Sequence, residues 1–396
     1  MRTATQDKLT DLILERLEGV MPAQRPVALH EPSFGADAWD LVKDCLDSGW
    51  VSSAGAYVDR FEQGLVDYTG IANAVATVNG TAALHTCLLL AGVEPLDEVL
   101  LPALTFVGTA NPVAAMGAIP HFVDSAGDTL GVSPQALTAH LAEIAERRGG
   151  ICINKCTGRR IRALVVVHVL GHLADMPALR EIADHYRLKL IEDAAEALGS
   201  FRDDRHAGHW GDSAALSFNG NKVITTGGGG AVLTSDPGLA REARHLTTTA
   251  KLPHPWAFEH DQVAFNYRLP NLNAALGVAQ LEQLSGLLAA KRRLARTYRQ
   301  AFTGLGSVRL FAEPAGCRGN HWLNLLLLPD VGQRDALLEA AQARGLLLRP
   351  FWTPLHRLPM YTEVPRARLP VAEGLFARGV CLPSSAALIT DGEAAQ

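Results

Sequence analysis

Short apolar runs recur along the chain from Ala74 onward, and segments with helical spacing separate them. Seven of these runs are rich in valine, leucine, isoleucine and alanine, which predicts buried strands at 74–78, 98–101, 119–123, 163–169, 189–193, 214–218 and 230–234. Strands that are apolar throughout indicate a mostly parallel sheet with helices on both faces. We therefore predict an α/β fold whose chemistry lies at the carboxyl ends of the strands.

Helical patterns fill the remaining segments. Apart from an N-terminal helix over 1–20, they are predicted over 37–48, 58–68, 80–90, 106–116, 133–146, 176–185, 272–299 and 334–343. Short strands at 308–310, 322–328 and 346–349 follow the long helix and indicate a second, smaller α+β domain. The predicted organisation is an N-terminal helix and linker (1–30), a large α/β domain (31–270), and a linking helix with a small C-terminal domain (271–396).

Composition narrows the class of protein. With 396 residues the chain exceeds a single hydrophobic core, and 48% hydrophobic against 19% charged residues is typical of a globular protein. The formal net charge of −5 argues against a nucleic-acid partner, which requires a basic face. No apolar run is long enough for a membrane span, and the N-terminus lacks the apolar core of a signal peptide. We expect a cytoplasmic protein.

The residue types that commonly bind metals are poorly spaced for that purpose. The six cysteines are scattered, and only Cys152 and Cys156 lie close together, without a second pair nearby. His168 and His172 follow a strand instead of sharing a helical face. We predict no metal site.

The most unusual stretch is 217–234, where Lys222 lies between small polar residues and a run of four glycines. Neither helices nor ordinary strands favour so much glycine, because each glycine loses much backbone entropy on folding. Taken alone, the stretch is more typical of a surface hairpin with a solvated lysine.

Two further features change that interpretation. Asp193 ends an apolar strand, and Gly80-Thr81-Ala82 opens a helix directly after another strand, where free amides attract a phosphate. Each feature alone has an ordinary alternative, a helix cap for the aspartate and simple packing for the glycine turn. A buried carboxylate, a lysine nucleophile and a phosphate cradle together are what a pyridoxal phosphate enzyme needs.

Six short stretches carry a resemblance to a known family: 49–53 (GWVSS), 79–84 (NGTAAL), 102–107 (PALTFV), 192–196 (EDAAE), 217–222 (SFNGNK) and 265–268 (FNYR). With these motifs the sequence resembles the DegT/DnrJ/EryC1/StrS sugar-nucleotide aminotransferases over roughly 27–385. The resemblance implies the type I pyridoxal phosphate (aspartate aminotransferase-like) fold and a homodimer with shared active sites.

The resemblance also implies roles for individual residues. Lys222 would form the Schiff base with pyridoxal 5′-phosphate, Asp193 would pair with the pyridine nitrogen, and Phe106 would stack on the ring. Phosphate contacts would come from Gly80, Thr81, Ala82, Ser217 and Asn219, joined by Asn266 of the partner subunit. Glu196 would lie near the phenolic oxygen of the cofactor, where the family often has glutamine or histidine. The candidate substrate-binding residues are Trp50, Ser52, His168, Arg268, His321 and Trp352, of which Ser52 is also typical of a helix cap and Trp352 of the core. His321-Trp322 and the segment 349–352 (RPFW) are expected to line the substrate entrance.

The finer resemblance is to the LegC-type branch, which rests on Asn-Gly-Asn before Lys222 and on an insert at 147–162 that contains several arginines. This insert is predicted to be an exposed hairpin. It is either a solvated basic hairpin, or its arginines contact a nucleotide diphosphate.

The predicted function is ping-pong transamination from L-glutamate to C4 of a UDP- or GDP-linked 4-keto-6-deoxy-N-acetylhexosamine, for legionaminic acid, bacillosamine or other surface-glycan amino sugars. The alternative acceptor is that of a GDP-perosamine-synthase-like 4-aminotransferase or another ketosugar aminotransferase. Two further classes share the fold: dehydratases with histidine in place of Lys222, and non-catalytic members that would not need Lys222, Asp193 and Ser217 together.

Overall fold

The computed structural model of the chain describes residues 4–389. Eleven α-helices occur in this range, and the first begins within the predicted N-terminal helix. They are α1 (Ala4–Glu18), α2 (Asp37–Ser48), α3 (Ala56–Thr69), α4 (Gly80–Leu90), α5 (Asn111–Ala115), α6 (Pro134–Ile144), α7 (Met176–Tyr186), α8 (Pro237–Thr247), α9 (Asn271–Ala301), α10 (Val331–Ala343) and α11 (Pro370–Arg378).

The strands of residues 4–389 fall into a large sheet and two small ones. They are β1 (Asn73–Thr77), β2 (Glu98–Pro102), β3 (Ile119–Val123), β4 (Ala145–Arg148), β5 (Ile151–Asn154), β6 (Arg160–Val167), β7 (Lys189–Asp193), β8 (Phe201–Arg202), β9 (Arg205–His206), β10 (Ser213–Ser217), β11 (Gly230–Thr234), β12 (Arg309–Leu310), β13 (Cys317–Arg318), β14 (Asn324–Leu327), β15 (Arg349–Pro350) and β16 (Gly379–Leu382).

The large sheet has the order β1-β11-β10-β7-β6-β2-β3, and the pairs from β10 to β3 are all parallel. This confirms the mostly parallel sheet predicted from the apolar runs. β11 differs, because it pairs antiparallel with both β1 and β10. The carboxyl ends of β1, β2, β6, β7 and β10 therefore meet at one edge, and the loop over 218–229 that joins β10 to β11 lies at that same edge.

Helix ends follow local chemistry. α2 ends where Gly49 adopts a left-handed conformation (φ 74°), as the sequence predicts. α4 begins after Asn79, whose side chain accepts a hydrogen bond from the amide of Ala82. The predicted helix over 106–116 is wrong in part: a 3₁₀ turn at Val107–Thr109 precedes the short helix α5, whose second residue is a proline.

The smaller domain has its own core, and the N-terminal helix belongs to it. Ile13, Leu14 and Leu17 of α1 are fully buried in one cluster with Tyr298 of α9 and Leu337 of α10. The four-stranded sheet β12-β14-β16-β15 carries this core. Our prediction treats 1–30 as a separate helix and linker, whereas the structure packs α1 against segments near the other end of the chain.

The insert at 147–162 is only partly the solvated hairpin of the prediction. β4 and β5 form a hairpin, but Asn154 is buried and donates to the carboxylate of Glu98 at 2.8 Å, and Thr157 donates to the same carboxylate at 2.5 Å. Arg160 binds Asp97 with two hydrogen bonds, at 2.8 and 2.5 Å. Glu98 is the first residue of β2, so the insert lies at the edge opposite Lys222. The interpretation that its arginines reach a nucleotide in this chain's cavity is wrong.

α8, α11 and β16 were not predicted from the sequence; α11 and β16 complete the small domain. Among the helices within 4–389, none combines the length and the apolar character that crossing a bilayer requires.

Candidate active site

A cavity of about 250 Å³ lies at the carboxyl edge of the large sheet. Its lining comes from strand ends, the start of α4 and the small domain: Asn79, Gly80, Thr81, Leu84, Thr105, Phe106, Gly108, Thr109, Val167, Asp193, Ala195, Glu196, Ser217, Asn219, Asn221, Lys222, Trp322, Arg349 and Trp352. Eight of the predicted cofactor and catalytic residues thus lie together here, along with one predicted substrate residue, Trp352.

Lys222 projects into this cavity between a carboxylate and an indole ring. Its Nζ lies 3.5 Å from Oε1 of Glu196 and 3.9 Å from the ring centre of Trp322. Burial lowers the pKa of Lys222, while the charges of Glu196 and Asp193 oppose that shift. A lowered pKa makes the neutral amine more available as a nucleophile and base. A solvated hairpin lysine is not what the structure shows.

The glycines after Lys222 serve close approach as well as turning. Gly227 has φ 79°, a conformation that favours glycine. A Cβ on Gly230 would lie 2.5 Å from the backbone of Asn79, so this position lets the loop return beside the start of α4.

Glu196 is fixed on both sides. Its Oε2 accepts a hydrogen bond of 2.8 Å from the amide of Leu170, and its Oε1 faces Lys222. Burial raises the pKa of this carboxyl group, against the charge of Lys222. The glutamate is therefore a direct neighbour of the reactive amine.

Asp193 is buried at the end of β7 and held in one orientation. Thr109 donates a hydrogen bond of 2.8 Å to its Oδ2, the amide of Ala195 donates to Oδ1 at 3.2 Å, and Thr105 contacts the hydroxyl of Thr109 at 3.1 Å. Burial raises the pKa of Asp193, and the hydrogen bond from Thr109 opposes the shift. A buried carboxylate of this kind gains stability from a cationic partner such as a protonated pyridine nitrogen.

The anion cradle at the start of α4 fits a phosphate. Thr81 and Gly80 lie in the first turn, opposite Ser217 and Asn219, and the dipole of α4 favours negative charge there. A Cβ on Gly80 would lie 2.7 Å from the Cβ of Ser217, so only glycine allows this approach. Ala82 differs from the prediction, because its amide is already bound by Asn79 at 2.8 Å and it does not line the cavity.

Three aromatic side chains line the cavity. The Phe106 ring is 55% exposed at the cavity, and a Cβ on Gly108 would lie 3.0 Å from that ring. Trp322 and Trp352 also line the cavity, and their rings stack with centres 6.4 Å apart. The cradle, the buried carboxylate, the free ring face and the lysine are the donor set that pyridoxal 5′-phosphate requires, so the residues fit this cofactor.

Five of the six predicted substrate-binding residues lie outside the cavity for identifiable reasons. His168 is completely buried and bound to Glu192 at 2.8 Å, so it is a structural residue and not a substrate contact. His321 is buried against His172 behind the wall, with ring centres 5.6 Å apart. Arg268 is buried and paired with Glu62 at 2.8 Å.

Trp50 and Ser52 are exposed, and Trp50 borders a separate surface cavity. Asn271 donates hydrogen bonds to the backbone carbonyl groups of both residues. Asn266, predicted to act on a partner subunit, is exposed and does not line the cavity of its own chain.

Thr109, Trp322 and Arg349 are among the lining residues to which our prediction assigned no individual role. Thr109 reaches Asp193 because the predicted helix around it is a 3₁₀ turn; its position after Thr105 on a strand-end loop was the available signal. Trp322 and Arg349 were noted only as part of a possible entrance, since the packing of the small domain against the sheet decides their position.

Within residues 4–389, no cluster of three or more histidine, cysteine, aspartate or glutamate side chains is arranged to hold a metal ion.

Comparison with known proteins shows the family to which the chain belongs. The model of the DegT/DnrJ/EryC1/StrS aminotransferase family matches residues 32–395. GDP-perosamine synthase from Vibrio cholerae is 35% identical over 92% of this chain and 95% of that protein, and GDP-perosamine synthase from Caulobacter vibrioides is 34% identical over 91% and 94%. The solved aminotransferase TlmJ from Streptoalloteichus hindustanus is 29% identical with a TM-score of 0.84, covering 93% of this chain and 95% of that one. The chain thus belongs to the DegT/DnrJ/EryC1/StrS aminotransferase family and is a transaminase of the type I fold that uses pyridoxal 5′-phosphate.

Proposed function

We propose that the enzyme transfers the amino group of L-glutamate to the C4 ketone of a nucleotide-linked 4-keto-6-deoxyhexose, in two half-reactions of a ping-pong cycle. The observation that carries this proposal is the position of the Lys222 amine beside Glu196, in a cavity that also contains Asp193 and the anion cradle. When bound, pyridoxal 5′-phosphate supplies the carbonyl group and the electron-withdrawing ring that carry the amine.

Residues of the chain transfer the proton, stabilise a positive charge and exclude water. Lys222 takes a proton from the substrate carbon on one side of the cycle and returns it on the other, which the lowered pKa of its amine favours. Asp193, oriented by Thr109, holds a positive charge at the far end of the cavity. Trp322 and Trp352 exclude water from one side of the amine.

Arg349 supports a carboxylate-bearing donor. Its guanidinium lines the cavity, and its Nε is a buried donor without a partner among the described residues. An unpaired buried donor is costly, and a carboxylate of L-glutamate would satisfy it with a charge-assisted hydrogen bond. The stacked indoles beside it offer an apolar surface for the sugar.

A GDP-linked acceptor is our first candidate. Two relatives that match nearly the whole chain are named GDP-perosamine synthases. The LegC-type alternative, with an N-acetylated acceptor for legionaminic acid or bacillosamine, depended partly on the insert at 147–162, and that insert lies at the opposite edge of the sheet. We also infer a cytoplasmic location; the six cysteines are free thiols, which supports a reducing compartment.

The test is an amine-transfer assay with L-glutamate and two acceptors, a GDP-linked 4-keto-6-deoxyhexose and a UDP-linked 4-keto-6-deoxy-N-acetylhexosamine. We expect a 4-amino product, identified by mass spectrometry and NMR, with the GDP-linked acceptor preferred. Lys222→Ala should abolish both the product and the visible absorption of the bound cofactor. Transfer to the UDP-linked acceptor alone would favour the LegC-type branch, and no transfer to either acceptor would contradict the proposal.

A further inference from the structure

Three hydrogen bonds fix the position of Trp322. Its indole N–H donates to the carbonyl of Asn221 at 2.6 Å, one residue before Lys222. Its amide donates to Oδ1 of Asn320 at 2.8 Å, and its carbonyl accepts from Nζ of Lys291 at 3.2 Å. All three polar groups of the residue are therefore fixed, and the ring face lies 3.9 Å from the Lys222 amine.

Asn320 links this tryptophan to the other neighbour of the amine. Its side chain is completely buried and donates to the carbonyls of Glu196 at 2.7 Å and Leu198 at 2.9 Å. The side-chain amide of Asn320 thus holds the backbone of both Glu196 and Trp322, the two residues that flank Lys222. The amine can rest as an ammonium ion between a carboxylate and a ring face, both of which favour a cation.

Lys291 is the unexpected member of this arrangement. It lies in the middle of α9, is 1% exposed, and donates to Nε2 of His30 at 3.0 Å and to the carbonyls of Trp322 and Ser384. No carboxylate among residues 4–389 forms an ion pair with it, and burial lowers its pKa to about 7. Burying an amine without a counter-ion is expensive, whereas an apolar side chain would fill the same space without that cost.

A purely structural role is the simplest alternative. Lys291 joins the N-terminal segment, the loop before β14 and the segment after β16, so it could serve only to hold the domains together. Tyr298 on the same helix shows how such a contact looks: its buried hydroxyl donates to the carbonyl of Pro383 at 2.7 Å, next to Ser384, and Tyr298 does not line the cavity. The difference is that Lys291 binds the backbone of the residue that covers the reactive amine.

We propose that Lys291 is a positioning residue for the transamination, which holds the carbonyl of Trp322 so that the indole stays over the Lys222 amine. Lys222, once free, then has a fixed resting place between Trp322 and Glu196, from which it returns to the reacting carbon. The inference rests on the chemistry of the family at Lys222 and is independent of which sugar is the acceptor.

The experiment is a double-mutant cycle with Lys291→Met, Trp322→Leu and the double variant, in which the half-reaction of the holoenzyme with L-glutamate is followed by visible absorption. The limiting rate constant of this half-reaction is its kcat, and the half-saturating concentration of L-glutamate is its KM. We expect Lys291→Met to lower kcat by about 10- to 100-fold, as displaced catalytic groups do, and to leave KM for L-glutamate nearly unchanged. Because Lys291 acts through Trp322, the double variant should be no slower than Trp322→Leu alone. Multiplying effects, or a change confined to KM, would overturn the proposal.

Two additions keep the result interpretable. Tyr298→Phe is the matched control, since it removes a contact between α9 and the same C-terminal segment; it should lower the unfolding temperature without changing kcat. If Lys291→Met does not fold, Lys291→Gln retains a shorter donor and replaces it in the cycle. In the apoenzyme, the pH midpoint for the reaction of Lys222 with added pyridoxal 5′-phosphate should shift in the Lys291 variant and stay unchanged in Tyr298→Phe; the same midpoint in both would also overturn the proposal.

Discussion

At the scale of single residues, burial and a neighbouring carboxylate have opposite effects on the proton of the reactive amine. Burial lowers the pKa of Lys222 and favours its neutral form, whereas the carboxylate of Glu196 at 3.5 Å favours the charged form. The balance leaves the pKa of Lys222 below its usual value. Glu196 thus prevents the amine from losing its proton too readily.

Replacing Glu196 with glutamine should make this balance visible. Glu196→Gln removes the charge but keeps the shape, so the pKa of Lys222 should fall further. The neutral amine reacts with pyridoxal 5′-phosphate, so the pH midpoint of cofactor uptake by the apoenzyme, followed by visible absorption, should move to lower pH.

Glu313→Gln provides the control, because that carboxylate lies behind the wall, 3.7 Å from His321. It should leave the midpoint unchanged. A Glu196→Gln midpoint that stays in place or rises would show that the carboxylate does not set the charge of Lys222.

The sequence predicts the residues whose role depends on a strand end. Lys222, Asp193, Thr81 and Ser217 follow or end apolar runs, and parallel strands bring their carboxyl ends together whatever the detailed packing. The position of Trp322 over Lys222 could not be predicted, since it depends on how the small domain packs against the sheet. His168 is the opposite case. We predicted that this polar side chain contacts the substrate, but it is buried and its ring binds Glu192.

At the scale of elements, the insert at 147–162 is anchored through one buried carboxylate. Glu98 receives hydrogen bonds from His121, Asn154 and Thr157, and the second nitrogen of His121 lies 2.8 Å from His140. Burial alone would raise the pKa of Glu98, but these bonds outweigh it and hold the pKa below its usual value. The hairpin is therefore a packed part of the large domain.

Removing that charge should destabilise the fold without affecting catalysis. Glu98→Gln should lower the free energy of unfolding by about 3 kcal/mol at pH 7, as expected for a broken buried charge network. Because the folded pKa is depressed, this contribution is fully present above the unfolded value of about 4.3 and is lost as the pH falls through the folded value.

Urea unfolding at pH 7 and at a series of pH values falling below about 4.3 measures this difference. Glu94→Gln, which removes an exposed partner of Arg160, should change the stability little. Equal loss of stability in both variants, or loss of amine transfer in Glu98→Gln, would contradict the assigned role.

Most strands could be predicted because an apolar run of β-branched residues is a local signal. Directions and partners are not local. β11 reverses relative to its neighbours because the loop after Lys222 returns directly beside β10, and nothing within Gly230–Thr234 shows that reversal. The N-terminal helix was predicted correctly as a helix, but its packing against α10 involves a partner more than 300 positions away.

At the scale of the whole molecule, the cavity lacks one predicted phosphate contact, Asn266, which is exposed on its own chain. The neighbouring loop also exposes Trp256, Phe258 and Val263, at 79%, 77% and 89%. We propose that a second copy of the chain covers this surface and receives Asn266 in its cavity. Apolar side chains that are unusually exposed together are typical of a subunit interface.

Complementation tests the shared site. Lys222→Ala and Asn266→Ala should each be nearly inactive alone, yet a mixed dimer would contain one site with both residues intact. Co-expression should therefore restore up to about a quarter of the wild-type activity, as random pairing of subunits in a symmetric dimer predicts. Light scattering should show twice the mass of one chain. Dimers that form without restored activity would show that Asn266 does not cross the interface.

The pairing of β1 with β11 determines when the edge of the large sheet can form during synthesis. Asn73 in β1 bonds Thr234 in β11, 161 positions later, and β1 leads directly into the cradle at the start of α4. On the ribosome, the first strand of the sheet must therefore wait, unpaired, until most of the large domain has been synthesised. Contacts between such distant segments form slowly, and an unpaired strand is open to misassembly. A nascent chain that ends before Thr234 already contains Lys222 but not the strand that places the phosphate cradle beside it.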